Sequence, residues 1–251
     1  MMNNLTICKD MDALGKTAAR TFARLADQCV TKKGRFTVAL SGGSTPRSLY
    51  THLTLPPFRN TIPWGGVHIF WGDERMVPPD HPDSNFGLAN TLLLPKVPIP
   101  DENIFAMPMK DINPDAAAKI YEDAIFECFD PDEDEIPVFD LILLGIGADG
   151  HTASLFPGTS ALDEKEAWVV ANHIPFLNKT RLTLTFPLIN QAKNILFLAA
   201  GKDKAPVIRT LLSEHPERSA YPAAGVQPAA GERHFIIDQD AASELPSNCR
   251  D

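Results

Sequence analysis

The sequence predicts an α/β fold: a mainly parallel, doubly wound, Rossmann-like sheet with helices on both faces and a small additional antiparallel or edge component. Three observations carry this. Strand-like runs alternate with helical patterns along most of the 251 residues, the order that crossover connections turn into a parallel sheet. The segment FDLILL at 139–144 is almost continuously apolar, as a strand covered on both faces must be. Glycine-rich turns, SGGSTP at 41–46 and GIGADG at 145–150, stand directly behind two such runs, where open α/β sheets bind ligands.

Taken in order, Met11, Leu14, Ala18, Ala19, Phe22, Leu25, Ala26 and Cys29 recur at helical spacing, so residues 10–33 read as one amphipathic helix ending near Gly34 and packed on the sheet. Strands are expected at 36–40, 67–71, 138–144, 168–171, 181–186, 195–200 and 234–238. Ser44 or Thr45 caps a helix with Pro46 in its first turn, Ser84 and Asn85 begin another, and Asn113 caps a third that has Pro114 in its first turn and runs through Ala117, Ile120, Tyr121, Ala124, Ile125 and Cys128. The run TRLTLTF at 180–186 alternates polar and apolar residues, the pattern of a strand with one wet face, and is assigned to an edge or a small second sheet. No repeat, low-complexity tract or dividing linker is evident, and residues 1–251 are read as one domain.

A chain that is 44% hydrophobic can bury a full core. Its formal charge of −9 argues against a nucleic-acid partner, which draws on a concentrated basic surface. A small phosphorylated ligand needs only a few local cations and backbone amides, and much of the negative charge falls in DPDEDE at 130–135, read as a solvated loop. Apolar runs fall short of the ~18 residues a membrane span needs. The first residues lack the basic-then-apolar order of a secretory signal, so a cytoplasmic location without a membrane partner is expected. Cys8, Cys29, Cys128 and Cys249 lie far apart without a CxxC pair, which predicts reduced thiols rather than a metal site or disulfide framework.

Three turns carry candidate chemistry. Asp149 and His151 sit two residues apart on the turn behind FDLILL, an acid and a base offered to one cleft. The same letters satisfy GxGxxG, but a dinucleotide fingerprint needs an acid about 20 residues on that closes the next strand. Here the next strand-like run ends in Asn172, and the glycines come late in the chain, so a catalytic loop is the favoured reading. Gly42, Gly43, Ser44 and Thr45 place amides and hydroxyls at a helix start, which suits a phosphate, the alternative being an ordinary capped helix; the Lys of a P-loop is missing. Asp73, Glu74 and Arg75 follow a strand and present either a cation to an anionic substrate or an exposed ion pair. Arg181 and Lys204, each near a strand end, can complete a phosphate clamp. His52, His68, His81, His173, His215 and His234 lack such a glycine-framed setting and are read as structural or exposed.

Together SGGSTP (41–46), WGDERMVPPDHPDSNFG (71–87) and GIGADGHTASLFPG (145–158), in this order and spacing, resemble the segments of 6-phosphogluconolactonases. The likeness extends through RLTLTFPLIN and LAAGKDKAPVI, over nearly the whole chain. It implies an α/β fold shared with glucosamine-6-phosphate deaminases. The reaction implied is hydrolysis of 6-phosphogluconolactone to 6-phosphogluconate in the pentose phosphate pathway, with a phosphorylated sugar lactone as substrate, no cofactor, no metal and a monomeric enzyme. His151 is then expected to act as general base with Asp149 orienting or polarising it. The substrate phosphate is expected on Gly43, Ser44 and Thr45 with Arg181, Lys204 and Arg75, though Arg75 can equally face the developing oxyanion. The sister deaminases are the alternative; their loop reads DGHxAFNEP and uses its Glu, where this chain has Phe156, and the missing carboxylate favours the lactonase. A third reading, a sugar-phosphate-binding regulator without catalysis, predicts thermal stabilisation by ligand and no turnover.

Overall fold

The computed structural model describes residues 4–109, 112–133, 135–213 and 216–246. In chain order the strands are β1 (Leu5–Cys8), β2 (Phe36–Leu40), β3 (Val67–Trp71), β4 (Asp73–Arg75), β5 (Leu141–Leu144), β6 (Val169–Ile174), β7 (Lys179–Leu184), β8 (Asn194–Ala199) and β9 (Glu232–Asp238). The α-helices are α1 (Met11–Lys33), α2 (Thr45–Leu53), α3 (Phe58–Thr61), α4 (Asn85–Leu92), α5 (Pro114–Phe129), α6 (Phe186–Ile189) and α7 (Ala205–Leu212).

Six strands form one sheet in the order β1-β9-β8-β5-β2-β3, and every pairing in it is parallel. A separate three-stranded antiparallel sheet has the order β4-β7-β6. Helices cover both faces of the large sheet, as strand alternation requires of apolar runs buried on both sides. Phe36 of β2 meets Phe22 of α1 edge to face at 5.2 Å. Phe36 pairs with Val67, so Phe70, three residues further along β3, points to the opposite face, where it meets Tyr121 of α5. From β2 the chain moves outward to β3 and then returns to the other side of β2 as β5. That reversal makes the carboxyl ends of β2 and β5 a topological switch point, the crevice in which such sheets bind ligands.

The long first helix begins and ends as its sequence requires, with Asp10 accepting from the Ala13 amide and the cap at Gly34. The Asn113 cap also forms, accepting from the amides of Asp115 and Ala116. Four expectations need correction. The strands β1 and β4 were not anticipated; each is four residues or fewer and has no period to read. The strand expected from residue 138 starts at Leu141. The alternating run at 180–186 is the middle strand of the small sheet, and its polar side is dry: Thr183 is fully buried, accepts from the Ser154 amide and donates to the Leu184 carbonyl. Ser44 stands at the start of α2 but makes no capping hydrogen bond through its side chain.

Asp130, Asp132, Glu133 and Glu135 are exposed, and Cys8, Cys29 and Cys128 are free thiols. Cys249 and His215 lie outside the described residues. No helix among the described residues is long and apolar enough to cross a membrane. His52 pairs with Asp12, and His234 with Thr6, in keeping with structural roles.

Asp140, at the entry to β5, ties the sheet to its surroundings. Its fully buried carboxylate accepts from the Thr37 amide and hydroxyl and from the ammonium groups of Lys33 and Lys193. Burial alone would push this carboxyl up, but the hydrogen bonds from Lys33 and the Thr37 amide, with the Lys33 and Lys193 contacts, outweigh it and hold it below the usual carboxylate range. Because the folded value is depressed, the stabilisation is present above the unfolded value and is lost as pH falls through the folded one. Asp140→Ala should therefore lower unfolding stability by about 3 kcal/mol at pH 7 in urea titrations, with the gap to wild type closing as the solution is acidified below about pH 4. Coincident urea curves at pH 7 would contradict this.

Candidate active site

The site is built from four loops at the carboxyl ends of the large sheet. Behind β2 the chain turns through Gly42 and Gly43 into α2. Gly43 takes φ 95°, the left-handed region closed to most side chains, and this lets the backbone reverse with Ser44 exposed and the buried Thr45 lining the cleft. With no side-chain cap in place, the Thr45 amide at the start of α2 and the Ser44 hydroxyl remain available to an anion, whereas Pro46 carries no N–H and the Arg47 amide donates to the Ser44 carbonyl. The turn is braced by the Tyr50 hydroxyl, which donates to the Ser41 carbonyl.

Behind β3, the sequence Asp73-Glu74-Arg75 is not an exposed ion pair: Asp73 is 5% and Glu74 1% exposed. Glu74 is an internal anchor, accepting from the amides of Arg75, Asn85 and Phe86 and from the Ser84 hydroxyl. It thereby satisfies the start of α4 and closes the intervening loop on itself. Burial pushes the Glu74 carboxyl up, with the three amide bonds opposing. Asp73 lines the cleft, yet both its carboxylate oxygens are engaged, one by the Ser154 hydroxyl at 2.6 Å and one by the Asn85 carboxamide at 3.1 Å. Ser84 caps α4 as expected.

Behind β5 comes the turn that carries Asp149 and His151. Its Gly147 is required by crowding: a Cβ there would run into the His151 imidazole and the Asp149 carboxylate. The turn is closed by the Gly147 amide donating to the His151 carbonyl and the Thr152 hydroxyl donating to the Gly145 carbonyl. Asp149 Oδ1 lies 2.6 Å from His151 Nδ1 and 3.2 Å from the His151 amide. An ionised carboxylate only accepts, so Nδ1 is assigned the proton and Nε2 is left with its lone pair. After Gly150 no helix opens; the next helical turn is the 3-10 turn Ser160–Leu162. A dinucleotide fingerprint needs a helix start at that point, so the GxGxxG letters do not form one.

The small sheet supplies the cations. Arg75 of β4 and Arg181 of β7 stand directly opposite each other across an antiparallel pair. Like charges in that relation repel, so the pair does not stabilise the fold by its own contact. Among the described residues the buried Nε of each has no hydrogen-bond partner; Arg75 donates through Nη1 to the Asp83 carbonyl, and Arg181 reaches the Ser154 hydroxyl at 3.5 Å. Burial, followed by the Arg75 charge, lowers the Arg181 guanidinium from its ordinary value, with Asp73 opposing. Lys204, on the turn behind β8, adds a third cation and lies 3.1 Å from Asp203.

One cleft of about 180 Å³ is lined by Gly42, Gly43, Ser44, Thr45, Asp73, Arg75, His151, Arg181 and Lys204. Asp149 stands behind His151 and not in the wall. Sequence reasoning missed several contributors. Ser41 lines the cleft with a buried hydroxyl that has no partner among the described residues, and Ile146, Ala153 and Leu198 form apolar wall. Ser154, fully buried, joins Asp73 to Arg181. Its only signal was a polar residue between Ala153 and Leu155. Among the described residues no three His, Cys, Asp or Glu side chains gather to hold a metal ion. Amides and cations are thus grouped with a base whose lone pair is free, an arrangement that can pin an anionic ligand and activate water beside it.

Residues 9–235 match the family model described as glucosamine-6-phosphate isomerases/6-phosphogluconolactonase. A 6-phosphogluconolactonase of Nostoc sp. is 39% identical over 245 residues, covering 98% of this chain and 99% of its own. One of Synechocystis sp. is 41% identical over 218 residues, 87% of this chain and 88% of its own. The solved structure of 6-phosphogluconolactonase from Leishmania guyanensis superposes with a TM-score of 0.86 at 30% identity, covering 97% of this chain and 99% of that one.

Proposed function

The chain belongs to the glucosamine-6-phosphate isomerase/6-phosphogluconolactonase family, and we propose that it hydrolyses 6-phosphogluconolactone to 6-phosphogluconate with His151 as general base. The observation that supports this reading most strongly is that the amide-lined turn at Gly43 to Thr45, the opposed arginines and His151 share one cleft.

The substrate phosphate sits on the amides and hydroxyls of Gly43, Ser44 and Thr45, with Arg181 and Lys204 supplying charge. This leaves the lactone ring towards His151. Its Nε2 takes a proton from water as the oxygen bonds to the lactone carbonyl carbon. The carbonyl becomes a tetrahedral oxyanion, and Arg75, which lines the same cleft, faces either this oxyanion or the phosphate. Collapse breaks the bond to the ring oxygen, which takes the proton back from His151, and the new carboxylic acid ionises into solvent. Asp149 holds the imidazole in the tautomer this needs and stabilises the imidazolium between the two transfers. Asp73, with both oxygens occupied, orients Ser154 and Asn85 rather than reacting.

The deaminase alternative needs a carboxylate where Phe156 stands. That side chain is an aromatic ring 3% exposed, so the site has no acid there for the extra proton transfers. The deciding experiment is a fast lactone-consumption assay with the spontaneous rate subtracted, run beside a glucosamine-6-phosphate deamination control. Accelerated loss of lactone and no release of ammonia are expected. Lactone loss at the spontaneous rate would end the proposal, and ligand-induced thermal stabilisation in that case would favour the non-catalytic regulator.

A further inference from the structure

Phe156 is buried beside the cleft and is in contact with both ends of the chemistry. The imidazole of His151 stacks on its ring with centroids 4.0 Å apart and planes 24° from parallel. The guanidinium carbon of Arg181 lies over the same ring, 5.2 Å from the centroid. Phe176, 62% exposed on the turn between β6 and β7, closes on it edge to face at 5.7 Å.

Neither His151 nor Arg181 is fixed by polar contacts alone. Among the described residues the side chain of His151 has one hydrogen bond, from Nδ1 to Asp149, and a ring held at one atom can still swing about that contact. Such a swing moves Nε2, the atom assigned to the proton, through the largest arc. A flat face against the imidazole removes this freedom. Arg181 is held by one long contact to Ser154 while its Nε has no partner, so the plane of its guanidinium also depends on the ring beneath it. Aromatic stacking and cation over ring are each attractive in these geometries.

We propose that Phe156 is a positioning residue for both groups: its face sets the plane of the His151 imidazole and supports the Arg181 guanidinium, fixing the spacing between base and phosphate grip. This rests on the reading of His151 as the base. The ring does not touch the reacting atoms; it acts through the base and through the arginine that grips the phosphate.

The test compares Phe156→Leu, which keeps an apolar side chain but removes the flat face, with Phe156→Tyr, which keeps the face. Steady-state lactonase rates are normalised to folded protein by circular dichroism at the assay temperature. A misplacement of about 1 Å can cost up to ~10²-fold in rate, so Phe156→Leu should lower kcat by about 10- to 100-fold and also raise KM, while Phe156→Tyr should recover most of both. A purely structural role would lower the folded fraction and leave kcat per folded molecule unchanged, which overturns the proposal. So would equal losses in the Leu and Tyr variants, because the flat face would then be irrelevant. His151→Ala separates this inference from the functional reading: a wild-type enzyme that His151→Ala inactivates, beside a Phe156→Leu variant of normal kcat, sinks only the role of Phe156.

Discussion

Replacing His151 with Ala will lower kcat by about 10²- to 10⁴-fold, the usual contribution of a positioned general base. The argument rests on what the substitution leaves behind. The amide turn, both arginines and Lys204 are untouched, so the phosphate still binds and KM should change little. Only the step that needs a proton acceptor beside the lactone carbonyl is lost. Asp149→Ala should cost less than His151→Ala, since it removes the support of the imidazole and not the imidazole itself. The assay must be fast, and the spontaneous rate must be subtracted, because the lactone opens in water unaided. A His151→Ala enzyme with near-normal kcat would remove this residue from the mechanism, and a larger loss in Asp149→Ala would reverse their roles.

How much of this was legible in the sequence depends on the kind of feature. The large sheet was readable because buried parallel strands are apolar runs, and FTVAL, VHIFW and LILL are such runs. The four loops of the cleft were readable because the sheet places them: any chemistry behind β2, β3, β5 and β8 must gather at one edge. The small sheet was legible only in part. β4 is three charged residues long, and it forms because β7 offers a partner and Glu74 is satisfied by the backbone of α4, not because Asp, Glu and Arg favour strands. The dry polar side of β7 was misread for a related reason. Thr183 is buried because it serves Ser154, a contact between residues 29 apart that no local period encodes. Supports of the site were missed in the same way. Ser154, Asn85 and Phe156 act by hydrogen-bond or ring contacts across loops, and nothing in their immediate neighbours announces them.

Arg181→Met gives the second large effect, and it should raise KM by about 10- to 100-fold with kcat nearly kept. Hydrogen bonds to a charged group are each worth about 1.5–3 kcal/mol, which is that range of affinity. The change removes the guanidinium and preserves an apolar stem against Phe156, so it tests charge and not packing. It should also leave the melting temperature equal to or above that of wild type. Arg75 and Arg181 face each other directly, Arg181 is half-buried, and the Nε of each is unpartnered among the described residues, so in the absence of an anion the pair should oppose folding. A dianionic phosphate reverses the balance. Inorganic phosphate should accordingly raise the melting temperature of wild type more than that of Arg181→Met. Arg75→Met resolves the remaining ambiguity by the same measurement. A raised KM with kcat retained assigns Arg75 to the phosphate, whereas a lowered kcat with KM retained assigns it to the oxyanion formed in the transition state. If Arg181→Met moved neither KM nor the response to phosphate, Arg181 would have no part in holding the substrate, and the phosphate would have to rest on Lys204 and the turn at Gly43 to Thr45, with Arg75 only if Arg75→Met raises KM.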